Sequence, residues 1–327
     1  MQPPSITKRL TSEELRLIAR IAKMYYFDEL RQPEIAFRLR MSQTRVSRLL
    51  KRAQEEGVVR IHVTTPPGVF IELEERLKDE FGLTQAIVID ALSSDDRDIQ
   101  ADLGAAAAYY LETTIRSGDV IGITSWSESL LATVNSTPAV GGLKDVRVVQ
   151  ILGALGDPSL PKHASWIVSR LASLVGGMAT YLPSPAIAGS VASAQVLRED
   201  PFVHEAMESF ADLTVALVDI GTLNRASPNE SGAAFADDEL DQLRQAGAVG
   251  EICLRFFDSV GERIANPLTE RVIGIDLDQL ATTQRCVAVS GGLEKHRAIE
   301  AALRGRLVTV LVTDRYTAEA LTRKDSA

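Results

Sequence analysis

The sequence predicts a small all-α domain at the N-terminus, followed by a larger α/β domain whose parallel sheet is covered by helices. Three helical patterns follow one another within residues 1–65. The sequence TTPPG at 64–68 then interrupts regular structure, because proline and glycine continue neither helix nor strand. Beyond it, short apolar strands alternate with helices, which is typical of a parallel sheet buried on both faces. We expect domains at 1–65 and 83–327, joined by a linker and helix at 66–82.

Length and composition narrow the class of protein. The chain has 327 residues, more than one small hydrophobic core requires. No apolar run approaches the roughly 20 residues that span a bilayer, and the first residues lack the apolar core of a secretory signal. The two cysteines, Cys253 and Cys286, are too few for a disulfide framework or a zinc cluster. We expect a cytoplasmic protein that needs no metal or cofactor and contacts no membrane.

The net charge of −9 divides unevenly along the chain. Residues 1–65 contain 13 Lys and Arg against 7 Asp and Glu, a balance of +6, and the remaining residues contain 22 against 37, a balance of −15. A basic segment ahead of an acidic body favours contact between the first domain and an anionic polymer such as nucleic acid. Chance clustering of charges on solvated helix faces is the alternative.

The three N-terminal helices have clear boundaries. Thr11 and Glu14 form a capping box at the start of the first helix. The second helix covers about residues 32–39, and Ser42 is the expected N-cap of the third, which ends near residue 56. Residues 58–63 alternate enough to form a short strand. The pattern therefore predicts a winged helix-turn-helix domain.

The third helix separates polar side chains from apolar ones. Val46, Leu49, Leu50 and Ala53 share one face, which we expect to be buried. The expected DNA-contacting residues lie on the other face: Gln43, Thr44, Arg45, Ser47 and Arg48 near the N-terminus, then Lys51 and Arg52. A helix-turn-helix places this helix in the major groove, where Gln suits adenine and Arg suits guanine. We expect double-stranded operator DNA as the partner. A charged three-helix bundle without this role, or a head that binds protein or RNA, is the alternative.

The α/β domain is predicted element by element. We expect strands at 86–90, 120–124, 146–152, 215–219, 287–290 and 308–313, and helices at 70–81, 99–116, 164–175, 237–246 and 295–304. Helix 70–81 carries an apolar stripe of Leu73, Leu77 and Phe81, which we expect to be exposed and able to pair two heads. Because two half-sites about 34–36 Å apart need two heads, we expect a homo-oligomer, a dimer or a tetramer.

Short segments along nearly the whole chain carry a family resemblance. They are PEIA at 33–36, SQTRVSRLL at 42–50, VQILG at 149–153, GAVGE at 247–251, RFFD at 255–258 and GGLEK at 291–295. Together they resemble the SorC family of sugar-responsive bacterial transcriptional regulators. The resemblance implies a winged head and an effector domain similar to ribose-phosphate isomerase, glucosamine-phosphate deaminase and coenzyme A transferases. It also implies control of a carbohydrate-utilisation operon by a sugar, polyol or sugar phosphate, usually in a tetramer.

One position in the head departs from the family. Arg40 stands in the turn before the third helix, where the family usually has glycine. A left-handed conformation costs a non-glycine residue about 1 kcal/mol. We therefore expect a strained or slightly re-shaped turn.

The expected ligand site begins at the loop after strand 120–124, because ligands of open parallel sheets bind beyond the carboxyl ends of the strands. The candidates in this loop are Thr124, Ser125, Trp126, Ser127 and Ser129. They precede a helix N-terminus, which suits a phosphate. Simple N-capping by a serine is the alternative, and Trp126 suits core packing as well as stacking on a sugar. Glu128 departs from the family and opposes an anion.

The remaining candidates follow other strands: Gly153, Asp219, Gly221, Asp258, Gly291 and Lys295. We expect Asp219 to accept hydrogen bonds from sugar hydroxyls, or else to cap a turn. The resemblance assigns a phosphate contact to Lys295, for which a solvated surface lysine is the alternative. We expect a phosphorylated sugar or polyol between the 124–129 loop and Lys295, or an unphosphorylated polyol if Glu128 points into the site.

An isomerase-like enzyme with a regulatory head is the alternative function, since a fold does not decide a function. Asp219, Glu251, Asp258 and Glu294 supply carboxylates for a general base. None of them has a local histidine partner, and the four histidines are scattered at 62, 163, 204 and 296. We therefore expect no catalytic residues.

Overall fold

The protein divides into two compact units, Met1–Thr65 and Pro66–Ala327. A computed structural model describes residues 11–60, 66, 68–91, 96–124, 127–155, 164–223 and 236–323. Among the helices of these ranges, none is both long enough and apolar enough to cross a membrane.

The first unit contains three helices: α1 (Ser12–Tyr26), α2 (Gln32–Arg38) and α3 (Gln43–Glu55). The capping box predicted at the start of α1 is present, and Ser42 caps α3 as predicted. The core of the unit consists of aliphatic side chains from all three helices, among them Ile21, Ile35, Val46 and Leu50. Helix α3 therefore packs through the apolar face that its periodicity predicts. Helix α1 differs: Leu15, Tyr25 and Tyr26, which recur at helical spacing with Ile18 and Ala22, are exposed, and Ile21 and Met24 are buried instead.

The turn between α2 and α3 contains the expected backbone strain. Arg40 has a φ of 51°, in the left-handed region. The turn is closed by a 2.9 Å hydrogen bond from the Met41 amide to the Ala36 carbonyl. After α3, residues 58–60 form no strand, and Val59 donates a backbone hydrogen bond to Ala53. Residues 61–63 of the predicted strand lie outside the described residues.

The second unit is built on a parallel sheet of seven strands: β1 (Gln85–Ile89), β2 (Val120–Ile123), β3 (Arg147–Gln150), β4 (Met178–Thr180), β5 (Val215–Val218), β8 (Arg285–Val289) and β9 (Val310–Asp314). Their order is β1-β9-β8-β5-β2-β3-β4, and every neighbouring pair is parallel. A separate antiparallel hairpin is formed by β6 (Gly250–Ile252) and β7 (Arg255–Phe257). The predicted parallel sheet is confirmed.

Helices cover both faces of this sheet. They are α4 (Ile71–Phe81), α5 (Asp96–Thr114), α6 (Glu128–Ser136), α7 (Ala164–Leu174), α8 (Val191–Glu199), α9 (Pro201–Glu208), α12 (Leu277–Thr282), α13 (His296–Arg304) and α14 (Arg315–Leu321). Two further helices, α10 (Asp237–Gln245) and α11 (Pro267–Glu270), pack with the hairpin in a separate apolar cluster. Alternate residues of one strand pack on opposite faces. Leu311 lies in the same cluster as residues of α4, α13 and α14, whereas Val310 and Val312 lie with residues of α5, α6 and α7.

The expectation of an exposed stripe on helix 70–81 is wrong. Leu77 is fully buried and Phe81 nearly so, both within the core beneath the sheet, and Leu73 packs against them. Glu74 accepts a 3.0 Å hydrogen bond from the Val88 amide of β1, which fixes the helix to the sheet edge. The stripe therefore contributes to the core of its own unit and is not available to pair heads.

Candidate functional site

Helix α3 presents a polar front to solvent. Ser42 begins the helix by accepting a 3.3 Å hydrogen bond from the Arg45 amide. The predicted contact residues Gln43, Thr44, Arg45, Ser47, Arg48 and Lys51 are exposed, and Arg52 is half-buried. On the opposite face Val46 and Ala53 are fully buried. The helix therefore offers its side chains for contact without disturbing its packing.

The basic side chains of α3 differ in the groups that lie close to them. Lys51 lies 3.9 Å from Glu55, and Arg52 lies 3.6 Å from Glu56. Arg48 donates a 3.4 Å hydrogen bond to the carbonyl of Thr44, one turn earlier. The two basic residues of the last turns are thus partly neutralised by neighbouring carboxylates.

In the second unit, a cleft opens at the carboxyl ends of the parallel strands. Five of the predicted ligand residues line it: Thr124 after β2, Ser127 before α6, Asp219 and Gly221 after β5, and Lys295 after β8. Five further described residues line the cleft, and the sequence predicts no ligand contact for them: Leu152, Leu155, Glu251, Cys253 and Leu254. Strand ends far apart in sequence thus contribute to one site.

An ion pair crosses the cleft. Nζ of Lys295 donates to both carboxylate oxygens of Asp219, at 3.0 and 2.8 Å. Both side chains are largely buried, with 11% of Lys295 and 17% of Asp219 exposed. Lys295 ends a short 3-10 helix that follows Gly292 at a φ of 97°. The burial of Lys295 does not fit the alternative of a solvated surface lysine.

Glu251 is the buried acid of the cleft. Its backbone exchanges two hydrogen bonds with Gly221, at 2.9 and 3.0 Å. Its Oε2 accepts a 2.6 Å hydrogen bond from the Leu254 amide. A Cβ atom at position 221 would collide with the Glu251 carboxylate. Glycine at 221 therefore leaves room for the Glu251 carboxylate in its present position.

The hairpin turn next to Glu251 has an uncommon backbone. Cys253 and Leu254 have φ values of 55° and 59°, both left-handed and neither a glycine. Each such residue costs about 1–2 kcal/mol, and strain of this kind concentrates at functional sites. Burial, and next the Glu251 carboxylate, hold the pKa of the Cys253 thiol well above its ordinary value. Cys253 therefore lines the cleft as a neutral thiol.

Two candidate hydroxyls and one candidate carboxylate form hydrogen bonds within the chain. Ser127 accepts a 3.3 Å hydrogen bond from the Leu130 amide, so it caps α6 while lining the cleft. Ser129 is fully buried and donates to the Val289 carbonyl at 2.8 Å. Asp258 accepts from the amides of Val260 and Glu262, both at 2.9 Å, and so closes its own turn.

The other candidates either do not line the cleft or lie outside the described residues. Gly153 and Gly291 do not line the cleft. A Cβ at 153 would press on the Pro185 backbone, and one at 291 would press on Asp314. Glu128 is exposed and does not line the cleft. Ser125 and Trp126 lie outside the described residues.

The chemistry of the cleft follows from the groups that line it. None of its described lining residues is a histidine. Within the described ranges, no group of three His, Cys, Asp or Glu residues is placed to hold a metal ion. The arrangement instead combines carboxylates, hydroxyls and one lysine, which recognise hydroxyl-bearing ligands.

The similarity to known proteins covers both units. The family model described as a putative sugar-binding domain matches residues 66–323. The chain is 30% identical over 310 residues to the deoxyribonucleoside regulator of Bacillus subtilis (strain 168), covering 94% of this chain and 98% of that protein. It is 29% identical to the sorbitol operon regulator of Klebsiella pneumoniae, with 95% and 98% covered. The crystal structure of the full-length Klebsiella regulator has a TM-score of 0.74 to this chain at 28% identity, covering 95% of this chain and 100% of that one.

Proposed function

This chain belongs to the SorC family of transcriptional regulators with a sugar-binding domain, and we propose that it controls a carbohydrate-utilisation operon in response to an effector in the cleft. The effector is a sugar, polyol or sugar phosphate. One observation carries the proposal: Thr124, Asp219, Glu251 and Lys295, from four separate segments, line one cleft at the carboxyl ends of a parallel sheet. Ligands of open α/β sheets bind at this edge.

DNA binding is assigned to the first unit as a winged helix-turn-helix. The exposed polar front of α3, the tight turn at Arg40 and the local balance of +6 support this role. Arg45 and Arg48 read base edges, whereas Lys51 and Arg52 contact phosphates. The protein acts in the cytoplasm on double-stranded operator DNA.

The regulator works as a homo-oligomer, a dimer or a tetramer. A two-fold operator requires two heads. Because the stripe on α4 is buried, the contact between chains must use another surface. Sedimentation velocity of the DNA-free protein at micromolar concentration tests this, and a stable monomer would contradict it.

Catalysis is not part of the proposed function. The two acidic residues of the cleft are both engaged, Asp219 by Lys295 and Glu251 by the Leu254 amide. A general base needs to reach a substrate carbon and exchange its proton freely. A turnover assay on aldose and ketose phosphates should therefore detect no isomerisation.

A thermal-shift screen of the full chain against sugars, polyols and their phosphates tests the effector role, because ligands of the native state raise apparent stability. Compounds that bind are then added to an anisotropy assay with duplexes selected from a random pool. We expect at least one compound to raise the melting temperature and to change DNA affinity. A protein that selects no duplex, or whose DNA affinity no compound changes, would overturn the proposal.

A further inference from the structure

We propose that the effector is an uncharged sugar or polyol, without a phosphate, whose hydroxyls bind Asp219 and Glu251. This inference rests on the proposed function, since it concerns the same cleft, and it selects one class from the effectors named above. Three features carry it: the balance of charge in the cleft, the partner of Lys295, and the way in which α6 begins.

Carboxylates outnumber cations among the described residues of the cleft. Asp219 and Glu251 are acidic, and Lys295 is basic. Glu251 is only 5% exposed, so water screens its charge poorly. A phosphate ester carries about −1.5 to −2 charges at neutral pH, and like charges repel strongly over a few ångströms where water is scarce. The described lining of the cleft therefore disfavours a phosphate.

The lysine expected to receive a phosphate already holds a carboxylate. Lys295 donates to both oxygens of Asp219, at 3.0 and 2.8 Å, in a largely buried pair. A phosphate that took the lysine would leave the Asp219 carboxylate without its cation, and an unpaired buried charge is strongly unfavourable. A hydroxyl accepts from Lys295 and donates to Asp219 at the same time, so it binds without separating the pair.

The N-terminus of α6 is the other expected anion site, and it is already capped. Ser127 accepts from the Leu130 amide at 3.3 Å. The hydroxyl oxygens of Ser127 and Ser129 are 2.7 Å apart, so one donates to the other. Both features that would recognise a phosphate, the lysine and the start of α6, are therefore satisfied within the chain.

The rest of the lining suits a polyhydroxyl ligand. Thr124 supplies a hydroxyl that both donates and accepts. Gly221 leaves the Glu251 carboxylate close to the backbone of the cleft. Leu152 and Leu155 supply apolar surface for the C–H faces of a sugar or polyol. Carboxylates, hydroxyls and apolar patches together match alternating O–H and C–H groups.

Calorimetric titration of the full chain with matched pairs tests the inference. The pairs are pentitols, hexitols and aldohexoses, each with its monophosphate ester, and inorganic phosphate serves as an anion without a carbon skeleton. For pairs that bind, we expect the uncharged member to bind at least about tenfold more tightly than its phosphate ester. Inorganic phosphate at millimolar concentration should not compete with it.

Two variants and a control sharpen the test. Asp219→Asn removes a negative charge and releases Lys295, so it should shift the preference toward the phosphate ester by about tenfold or more. Glu251→Gln should shift it in the same direction and serves as the second variant if Asp219→Asn does not fold, as judged by circular dichroism. Glu128→Gln removes an exposed carboxylate outside the lining, and should change the preference by less than about twofold because water screens it.

The possible results separate the inference from the proposed function. A phosphate ester that binds the parent more tightly than its uncharged partner overturns the inference and leaves the proposed function standing. If neither class binds and neither changes DNA affinity, the proposed function fails and the inference fails with it.

Discussion

Asp119 joins three segments of the α/β unit through one carboxylate. It lies immediately before β2 and accepts hydrogen bonds from the Arg116 amide at 2.7 Å and the Thr214 hydroxyl at 2.8 Å. Nη2 of Arg285, at the start of β8, donates to it at 2.7 Å. Burial alone would raise the pKa of Asp119, but the three donors outweigh it and hold the pKa below its ordinary value. The ionised carboxylate therefore stabilises the folded state.

Asp119→Asn should lower the free energy of unfolding by about 3 kcal/mol at neutral pH, because it leaves the largely buried Arg285 guanidinium without a carboxylate to balance its charge. The folded pKa lies below the ordinary value of 3.8, so the contribution is complete above that value and is lost as the pH falls through the folded pKa. Urea unfolding from about pH 7 to about pH 3 should show a constant difference from the parent down to about pH 5 and a shrinking one below.

Asp212→Asn is the matched control for Asp119. Asp212 pairs with Arg147 at 2.7 Å, but 59% of its side chain is exposed. Its loss should cost less than about 1 kcal/mol. An equal loss in both variants, or an Asp119→Asn difference that stays unchanged at acidic pH, would contradict this account.

Arg40 is strained in a way that a substitution can relieve. It is exposed and has a φ of 51°. Arg40→Gly should raise the free energy of unfolding of the first unit by about 0.5–1 kcal/mol, because glycine adopts this conformation without a Cβ penalty. Arg38→Gly, in the last turn of α2, should instead lower it by about 1 kcal/mol. Thermal melts of both variants measure these changes in stability. A lower melting temperature for Arg40→Gly would show that the Arg40 side chain stabilises the fold by more than its backbone strain costs.

At the scale of elements, the β6–β7 hairpin holds Glu251 in the cleft. Gly221→Ala should displace the Glu251 carboxylate and destabilise the fold by about 1–3 kcal/mol, as overpacking does. Effector affinity, measured by calorimetry, should fall more than stability alone explains, because the acid that accepts hydroxyls moves. Gly189→Ala is the control: Gly189 is exposed and has open space around it. Unchanged effector binding by Gly221→Ala would argue against a role for Glu251.

Helix α3 allows a second test at this scale. Arg45→Ala or Arg48→Ala should each cost about 1–3 kcal/mol of specific binding and relax base preference at one position. Lys51→Ala or Arg52→Ala should weaken binding on all duplexes and flatten its salt dependence. Fluorescence anisotropy on selected and scrambled duplexes separates the two effects. Parental operator binding by the Arg45 and Arg48 variants would mean that another helix reads the DNA.

Sequence patterns predict some elements better than others, for physical reasons. Five-residue apolar strands such as β8 and β9 are evident because both faces are buried. Strand β4 has three residues at the sheet edge, and Met178 is 70% exposed, so it lacks that pattern. The β6–β7 hairpin has Cys253 and Leu254 in its turn, not the Asn-Gly type that marks such turns.

Site residues were easier to predict where the strand before them has an evident sequence pattern. Asp219 and Lys295 follow strands with an evident pattern, and both line the cleft. Glu251 was considered only as a general base for the alternative enzyme, because the hairpin that carries it was not predicted. Glu251 lies in β6, two residues before Cys253 in the turn, and no Asn-Gly or similar hairpin signal marks that turn in the sequence. The hydroxyl of Ser129 and the carboxylate of Asp258 are predicted for a ligand; in the structure Ser129 donates to the Val289 carbonyl and Asp258 accepts hydrogen bonds from its own turn.

For the whole molecule, the boundary between basic and acidic sequence coincides with the boundary between the two proposed roles. The basic first unit suits an anionic polymer, and the acidic remainder holds the cleft for a small effector. A regulator must couple the two, and such coupling is a free energy that acts equally in both directions. If the effector changes DNA affinity by some factor, DNA must change effector affinity by the same factor.

The most direct measurement is therefore a thermodynamic cycle on the full chain. DNA affinity is measured by anisotropy with and without saturating effector, and effector affinity by calorimetry with and without the selected duplex. We predict that both factors agree and are at least about fivefold, and that Asp219→Asn reduces them while Arg45→Ala lowers DNA affinity. DNA affinity that is the same with and without bound effector would contradict the central claim that this protein is an effector-controlled DNA-binding regulator.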